Sequence, residues 1–160
     1  MASVYTHLWF DTEAEQAIDF YLSVFKDAKR GSAQSYTDTV PGTGNKQPLA
    51  TFECELEGHK IIALNAGPTA PFNERASLYV STRDQAETDY YWNALTADGG
   101  SEQPCGWLKD KFGVFWQVIP EILVRRTSDP DRQAADRALQ AMYQMKKIVI
   151  ADIETAFAGK

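Results

Sequence analysis

The chain has 160 residues, of which 44% are hydrophobic and 24% are charged, an ordinary composition for a globular protein. Aromatic residues make up 12% of the chain, which is enough apolar surface to exclude a disordered protein despite the net charge of −6. The pI of 4.9 argues against a nucleic-acid-binding protein, because such proteins usually carry a basic stripe.

The length predicts one domain, or two small halves that share a core. The apolar run Ile61–Leu64 is far shorter than the ~20 residues of a membrane span, so we expect no membrane insertion. Met1–His7 lacks the basic start and apolar stretch of a signal peptide, which predicts a cytoplasmic protein. Cys54 and Cys105, the only two cysteines, are then expected to be reduced.

The first predicted elements are a strand and a helix. Tyr5–Phe10 has the aromatic-rich composition of a strand. Thr12–Glu15 has the sequence of a capping box, in which the threonine side chain caps the first turn of a helix. We expect the helix to end near Asp27. Its apolar residues recur at helical spacing and are Ala14, Ala17, Ile18, Tyr21 and Phe25.

A hairpin follows. Ser32–Asp38 has the weak pattern of a strand, and Val40–Asn45 has the composition of a loop. Apolar and polar residues alternate along Leu49–Leu56, which predicts a half-buried strand, and Lys60–Asn65 returns as its partner.

The second half repeats this order. Ala76–Thr82 is predicted as a strand, and Asp84–Glu87 is a second helix-capping sequence. The apolar face of this helix is expected to comprise Tyr90, Tyr91, Ala94 and Leu95. Asp98–Gly100 ends the helix, and Gly106–Asp110 with Val114–Ile119 predicts a second hairpin. This weak internal repeat suggests two pseudo-symmetric halves forming one sheet.

The C-terminal residues form an additional arm. Ser128–Pro130 predicts a helix start, with proline in the first turn. The expected apolar stripe comprises Ala135, Ala138, Leu139, Met142 and Met145. A shorter segment, Ile148–Phe157, follows. We expect the arm to pack either on the sheet or on a partner.

Several motifs resemble the PhnB-like branch of the glyoxalase/bleomycin-resistance superfamily, also called vicinal oxygen chelate proteins. They are His7–Asp11, Asp84-Gln85 with Asp89–Trp92, Cys105–Asp110, and Trp116–Val118 with Pro120; the likeness continues through Met145–Ile148. Members of this branch often carry the label 3-demethylubiquinone 3-methyltransferase.

The resemblance implies one α+β domain over residues 1–160, usually in a homodimer. Two βαβββ modules, at about 1–70 and 71–120, join into a curved mixed sheet with a concave cavity. C-terminal helices occupy about 121–160.

Strand alternation then predicts which side chains face the cavity. If Leu8 and Phe10 face the helices, His7 and Trp9 face the cavity. The same rule places Glu53, Ser77, Tyr79 and Gln117 in the cavity. Asn65 is a candidate because it matches a metal-binding position of the superfamily, and Trp107 because its ring could stack on a ligand. The candidate catalytic residues are His7 and Glu53, and the candidate substrate-binding residues are Trp9, Asn65, Ser77, Tyr79, Trp107 and Gln117.

Only one of the four residues that match the superfamily's metal-binding positions, His7, is a strong ligand. The four positions hold His7, Asn65 or its neighbour, Ser77 or Tyr79, and Gln117. A transition-metal ion needs three or four strong ligands. We therefore predict no stoichiometric zinc, nickel or iron, although Glu53 could restore one carboxylate.

The glycine pattern predicts no methyl-donor or nucleotide cofactor. Gly42 and Gly44 lie close together in the sequence, but they follow a proline in a long loop with no helix after it. Sites for S-adenosylmethionine, dinucleotides and phosphates use a glycine-rich turn between a strand and a helix.

Two functions remain, both with a small-molecule ligand and neither with a nucleic acid or a membrane. One is a cytoplasmic enzyme that uses His7 and Glu53 as general acid and base in the cavity. The alternative is a non-catalytic binder that holds a metabolite among its aromatic residues, as resistance proteins of the superfamily do. The same residues also allow structural roles: a hydrogen-bonded histidine, a solvated carboxylate and aromatic packing.

Overall fold

The computed structural model of the protein describes residues 2–37 and 49–160. The chain divides into two compact units, Met1–Pro71 and Phe72–Lys160, which we call the first and the second module. The predicted loop Val40–Asn45 lies outside the described residues, together with the glycine pair at positions 42 and 44.

The first module has the order βαβββ. Its elements are β1 (Thr6–Phe10), α1 (Ala14–Val24), β2 (Ala28–Thr37), β3 (Leu49–Leu56) and β4 (His59–Asn65). The strand order is β1-β4-β3-β2, with β1 parallel to β4 and the other pairs antiparallel. The predicted strand, helix and hairpin are confirmed.

Helix α1 covers one face of this sheet. Its buried residues recur at helical spacing and are Ala14, Ala17, Ile18, Tyr21 and Val24. They pack on the alternate strand residues Leu8, Phe10, Cys54, Leu56, Ile61 and Ala63, which are also buried. Among the described residues of this module, no helix covers the opposite face of the same sheet.

The predicted capping box at the start of α1 is wrong. Glu13 occupies the N-cap position and makes no side-chain cap hydrogen bond. The Ala14 N–H instead donates to Oδ1 of Asn65, at 2.8 Å. The end of β4 brings this amide to the helix start, so the acceptor comes from a residue distant in sequence, which local capping rules do not reveal.

The second module repeats the βαβββ order. Its elements are β5 (Leu78–Thr82), α2 (Gln85–Thr96), a 3₁₀ turn (Ala97–Gly99), β6 (Ser101–Glu102), β7 (Trp107–Lys109) and β8 (Phe115–Pro120). The strand order β5-β8-β7-β6 and the parallel β5–β8 pair match the first module. The predicted repeat is confirmed.

Helix α2 begins as predicted and is rotated from its predicted face. Asp84 Oδ1 accepts a hydrogen bond from the Glu87 N–H at 2.8 Å, which confirms the cap. Tyr90, expected in the core, is 41% exposed, whereas Trp92 is buried. The buried positions are Thr88, Tyr91, Trp92 and Leu95, which follow the helical period more closely than the predicted set.

The C-terminal arm contains three helices: α3 (Glu121–Thr127), α4 (Arg132–Tyr143) and α5 (Ile150–Phe157). Helix α3 was not predicted, and α4 begins at Arg132, after the predicted start at Ser128–Pro130. Asp131 caps α4 by accepting hydrogen bonds from the N–H groups of Gln133 and Ala134, both at 3.1 Å. Every described helix is too short or too polar to cross a lipid bilayer.

The arm packs on the second module of its own chain. Its core consists of Ile119, Leu123, Ala138, Ile148 and Ile153. The N–H groups of Cys105 and Gly106 donate to the carbonyl oxygens of Met145 and Lys146, at 2.8 and 2.7 Å. Gly106 has a φ of +81°, and a Cβ there would lie 2.5 Å from Cδ1 of Ile119. This junction therefore requires glycine.

Truncation of the arm core is expected to destabilise the module without changing assembly. Ile153→Ala removes a fully buried side chain and should lower the free energy of unfolding by about 2–5 kcal/mol in chemical denaturation. Val124→Ala, at an exposed arm position, is the control and should change it by less than about 0.5 kcal/mol. Because one chain supplies this core, light scattering should give both variants the molar mass of the unmodified protein. A lower molar mass for Ile153→Ala would place the arm at a subunit interface.

Candidate functional site

Two rows of registered residues cross the first module on the face that α1 leaves open. Each row runs from β1 through the central strand β4 to β3. Residues paired in register point to the same side of a sheet. The six residues, which we call the first open face, are His7, Trp9, Thr51, Glu53, Ile62 and Leu64.

His7 and Glu53 share this face, but they do not form a contacting pair. Ile62 pairs with both and lies between them. With neighbouring strands about 4.8 Å apart, their backbones are separated by roughly 10 Å. His7 is exposed, and no other described residue forms a hydrogen bond or ion pair with its ring.

Glu53 is held in place by its neighbours. Its carboxylate lies 3.0 Å from Nζ of Lys60, and hydrogen bonding to Lys60 and Ser32 holds the pKa of Glu53 below its usual value. The bulge in β2 comes so close that a Cβ on Gly31 would lie 2.8 Å from Cβ of Glu53. Glu53 is thus a fixed, ionised carboxylate at neutral pH.

Trp9 presents an anchored ring. Its indole N–H donates to the carbonyl oxygen of Gly67 at 2.9 Å, while 44% of the residue remains exposed. An indole whose polar group is already bonded can offer its flat face to a ligand at a small entropic cost.

Asn65 does not lie on the first open face, where we expected it as a substrate-binding residue. Its side chain is buried on the α1 side of the sheet, where Oδ1 accepts the hydrogen bond from Ala14. Alternation along β4 puts Leu64, the neighbouring residue, on the first open face. Asn65 positions the helix in this structure, and Leu64 faces the open side.

The second module presents a corresponding row. Tyr79 pairs with Gln117, and Gln117 pairs with Trp107, so an amide lies between two aromatic side chains. The Gln117 amide N–H donates to Oγ of Ser77 at 2.9 Å. Lys109 follows Trp107 by two residues on β7 and lies on the same side. We call Ser77, Tyr79, Trp107, Lys109 and Gln117 the second open face.

The second open face combines rings with hydrogen-bonding groups. Tyr79 is 52% exposed, and burial of part of its side chain raises the pKa of its hydroxyl group. It therefore remains a protonated hydrogen-bond donor at neutral pH. Ile119, on the same side of β8, is buried in the arm core, so the arm closes this end of the face.

The potential metal ligands of the described residues are scattered. These residues contain no cluster of three or more His, Cys, Asp or Glu side chains able to hold a metal ion. Apart from His7 and Glu53, the potential metal ligands on the open faces are neutral oxygens and amides, which bind zinc or iron weakly. Cys54 faces α1, where burial raises the pKa of its thiol to about 11.

The strand-to-helix junctions also lack the glycines of a nucleotide site. Asp11–Glu13 connects β1 to α1, and Arg83 with Asp84 connects β5 to α2. Strand β8 passes directly into α3 at Pro120 and Glu121. Without glycine, the backbone of these junctions cannot approach a phosphate or a methyl-donor carboxylate as closely as those sites require.

A family model described as 3-demethylubiquinone-9 3-methyltransferase matches residues 2–119. The chain belongs to this family. The match ends before the arm, short of the Met145–Ile148 segment to which the sequence likeness extends. No curated protein matches the chain.

Solved structures show the same fold. A PhnB protein from Bacillus cereus is 26% identical, with a TM-score of 0.64 over 74% of this chain and 99% of that chain. PA1353 from Pseudomonas aeruginosa is 20% identical, with a TM-score of 0.59 over 76% of this chain and 98% of its own. The fosfomycin resistance protein FosX from Listeria monocytogenes is 12% identical, with a TM-score of 0.59 over 80% and 98%.

These likenesses confirm the α+β fold of the glyoxalase superfamily, with two βαβββ modules. Because PA1353 and FosX have low sequence identity to this chain, they support only the assignment of the fold. Each module of this chain has its own four-stranded sheet. A joint curved sheet around one cavity stays a prediction.

Several site residues depend on strand register and could not be identified from the sequence. Lys60 was placed on a strand without its partner Glu53, and the bulge at Gly31 and Ser32 gave no sequence signal. Lys109 was predicted only as part of the second hairpin, within Gly106–Asp110. Alternation could not separate Leu64 from Asn65, because Ile61–Leu64 is apolar on both faces.

The Glu53–Lys60 pair should make stability depend on pH. A carboxylate with a depressed pKa in the folded state stabilises the protein above its unfolded pKa, about 4.3, and this contribution disappears as the pH falls through the folded value. Glu53→Gln should therefore cost about 1 kcal/mol at pH 7, and the deficit should shrink towards pH 3 in urea denaturation. Glu74→Gln, at an exposed position, is the control and should show no such trend. A deficit that persisted unchanged at pH 3 would contradict the role assigned to the ion pair.

Proposed function

We propose that the protein binds a small organic molecule through its open faces. The observation that carries this proposal is the row Tyr79, Gln117 and Trp107, in which a hydrogen-bonding amide lies between two aromatic side chains. Ligand sites of small molecules combine apolar and aromatic walls with a few oriented polar groups. Trp9 offers a similar anchored ring on the first open face.

The arrangement of His7 and Glu53 favours binding over paired acid–base catalysis. A general base works best with a pKa near the operating pH, whereas hydrogen bonds lower the pKa of Glu53. Its carboxylate is already engaged by Lys60, and Ile62 separates it from His7. The non-catalytic alternative from the sequence is thus the better supported function.

An enzyme with a single proton-transfer group is the second candidate. His7 is exposed beside Trp9 on the same face, without a hydrogen-bonding partner among the described residues. Histidine is the side chain best suited to proton transfer near neutral pH. Mass spectrometry of a bound compound distinguishes the two candidates, because only the enzyme changes its ligand.

Cellular location and assembly are part of the proposal. Both cysteines are free in the structure, which supports a reducing, cytoplasmic setting. The resemblance to the superfamily supports a homodimer, and light scattering at micromolar concentration measures it directly.

The proposal includes no use of a methyl donor, despite the family's description. The described strand-to-helix junctions lack glycine, so calorimetry with S-adenosylmethionine should give no binding heat. A methyltransferase with a glycine-rich loop, measured in the same buffer, is the positive control. Micromolar affinity would reverse this part of the proposal.

The aromatic residues of the second open face should control ligand affinity. A screen of small aromatic compounds by saturation-transfer NMR on the full chain is expected to give binders. For these binders, Tyr79→Leu should weaken affinity roughly three- to tenfold, because a stacking contact is worth about 1 kcal/mol. Tyr143→Leu is the matched control, since Tyr143 is equally exposed, at 52%, but belongs to the arm. Equal effects of the two substitutions, or the absence of any binder, would contradict the proposed function.

A further inference from the structure

Four basic residues among those that the structure describes are half-buried as whole residues, and three of them have a carboxylate partner. Lys60 lies 3.0 Å from Glu53, Arg126 lies 2.9 Å from Glu154, and Lys147 lies 2.7 Å from Asp89. The fourth is Lys109. No described residue forms an ion pair or hydrogen bond with its ammonium group.

The position of Lys109 in the sheet explains why none of the described residues is its ion-pair partner. It pairs with Ser101 on β6 and with Phe115 on β8, so its row contains no carboxylate. The next row on the same side holds Trp107 and Gln117, about 7 Å away along the strand. The residues that share these two rows with Lys109 are thus apolar, aromatic or neutral.

An unpaired charge on a half-buried side chain reduces stability, because part of its hydration is lost without compensation. Elsewhere in the described chain, half-buried cations have partners. An anion from outside the chain would restore the missing interaction at Lys109. The net charge of −6 makes this local positive site distinct from the rest of the protein.

We propose that Lys109 is the anion-binding residue of the second open face and that the ligand is a small aromatic carboxylate. This inference rests on the proposed function and adds the chemical class of the ligand. The carboxylate binds the Lys109 ammonium group while the ring packs on Trp107. A single ammonium group, with no arginine on this face, matches one negative charge better than the two of a phosphate monoester.

The test compares three probes of similar shape: 2-naphthoate, its neutral amide 2-naphthamide, and 2-naphthyl phosphate. Calorimetry on the full chain is expected to give naphthoate at least about tenfold higher affinity than naphthamide, since a hydrogen bond to a charged group is lost with the amide. Lys109→Gln should abolish this preference by weakening naphthoate alone. Lys146→Gln, which removes an exposed charge from the arm, should retain it.

Three other results would contradict the inference, each in a different part. Equal affinity for naphthoate and naphthamide would remove the role of Lys109 and leave aromatic binding intact. Tighter binding of the phosphate would overturn the choice of a carboxylate. Failure of all three probes to bind at millimolar concentration would overturn both this inference and the proposed function.

Thermal unfolding separates a ligand-binding role from a structural one. Lys109→Gln removes an unpaired charge, so its melting temperature should equal or exceed that of the unmodified protein. Lys109→Met retains the length of the side chain and should behave in the same way in both assays. A drop of more than about 5 °C in both variants would show that Lys109 holds the fold together and would overturn the inference.

Discussion

Parallel pairing of the first and last strand of each module determines which side chains share a row. In the first module, β4 lies between β1 and β3, so one registered row brings His7, Ile62 and Glu53 to the same side. A helix must connect the outer strand to the rest of the module, and it covers the other side. Residues from distant parts of the chain therefore meet on one face that the module's own helix leaves open.

The two modules have the same strand order but different arrangements of charged side chains. On the first open face, Lys60 and a bulge in β2 engage Glu53, so its negative charge is already compensated within the chain. On the second, Lys109 lies among Ser101, Phe115 and Trp107 without a carboxylate. A duplicated topology thus gives one internally balanced face and one that has a charge available for a ligand.

Most of the fold was predictable, because long periodic segments carry strong signals. The alternation of Leu49–Leu56 and the cap at Asp84 were confirmed. The capping box at Thr12 was wrong because its place is taken by Asn65, at the end of β4. Site residues were harder to predict, since neither the register that separates His7 from Glu53 nor the partner of Lys60 is encoded in local sequence.

The family's description names a methyltransferase, whereas the side chains of this chain indicate a ligand-binding surface. The fold shared with PhnB and FosX proteins supplies a frame, and the side chains on its open faces decide what binds there. Here those side chains are aromatic rings, an amide and a half-buried lysine, while the strand-to-helix junctions lack glycine. Binding energy at such a face comes from ring contact and from one charge–charge interaction. Under the inference drawn above, the single positive charge of Lys109 selects among aromatic ligands by their anionic group, not by shape alone.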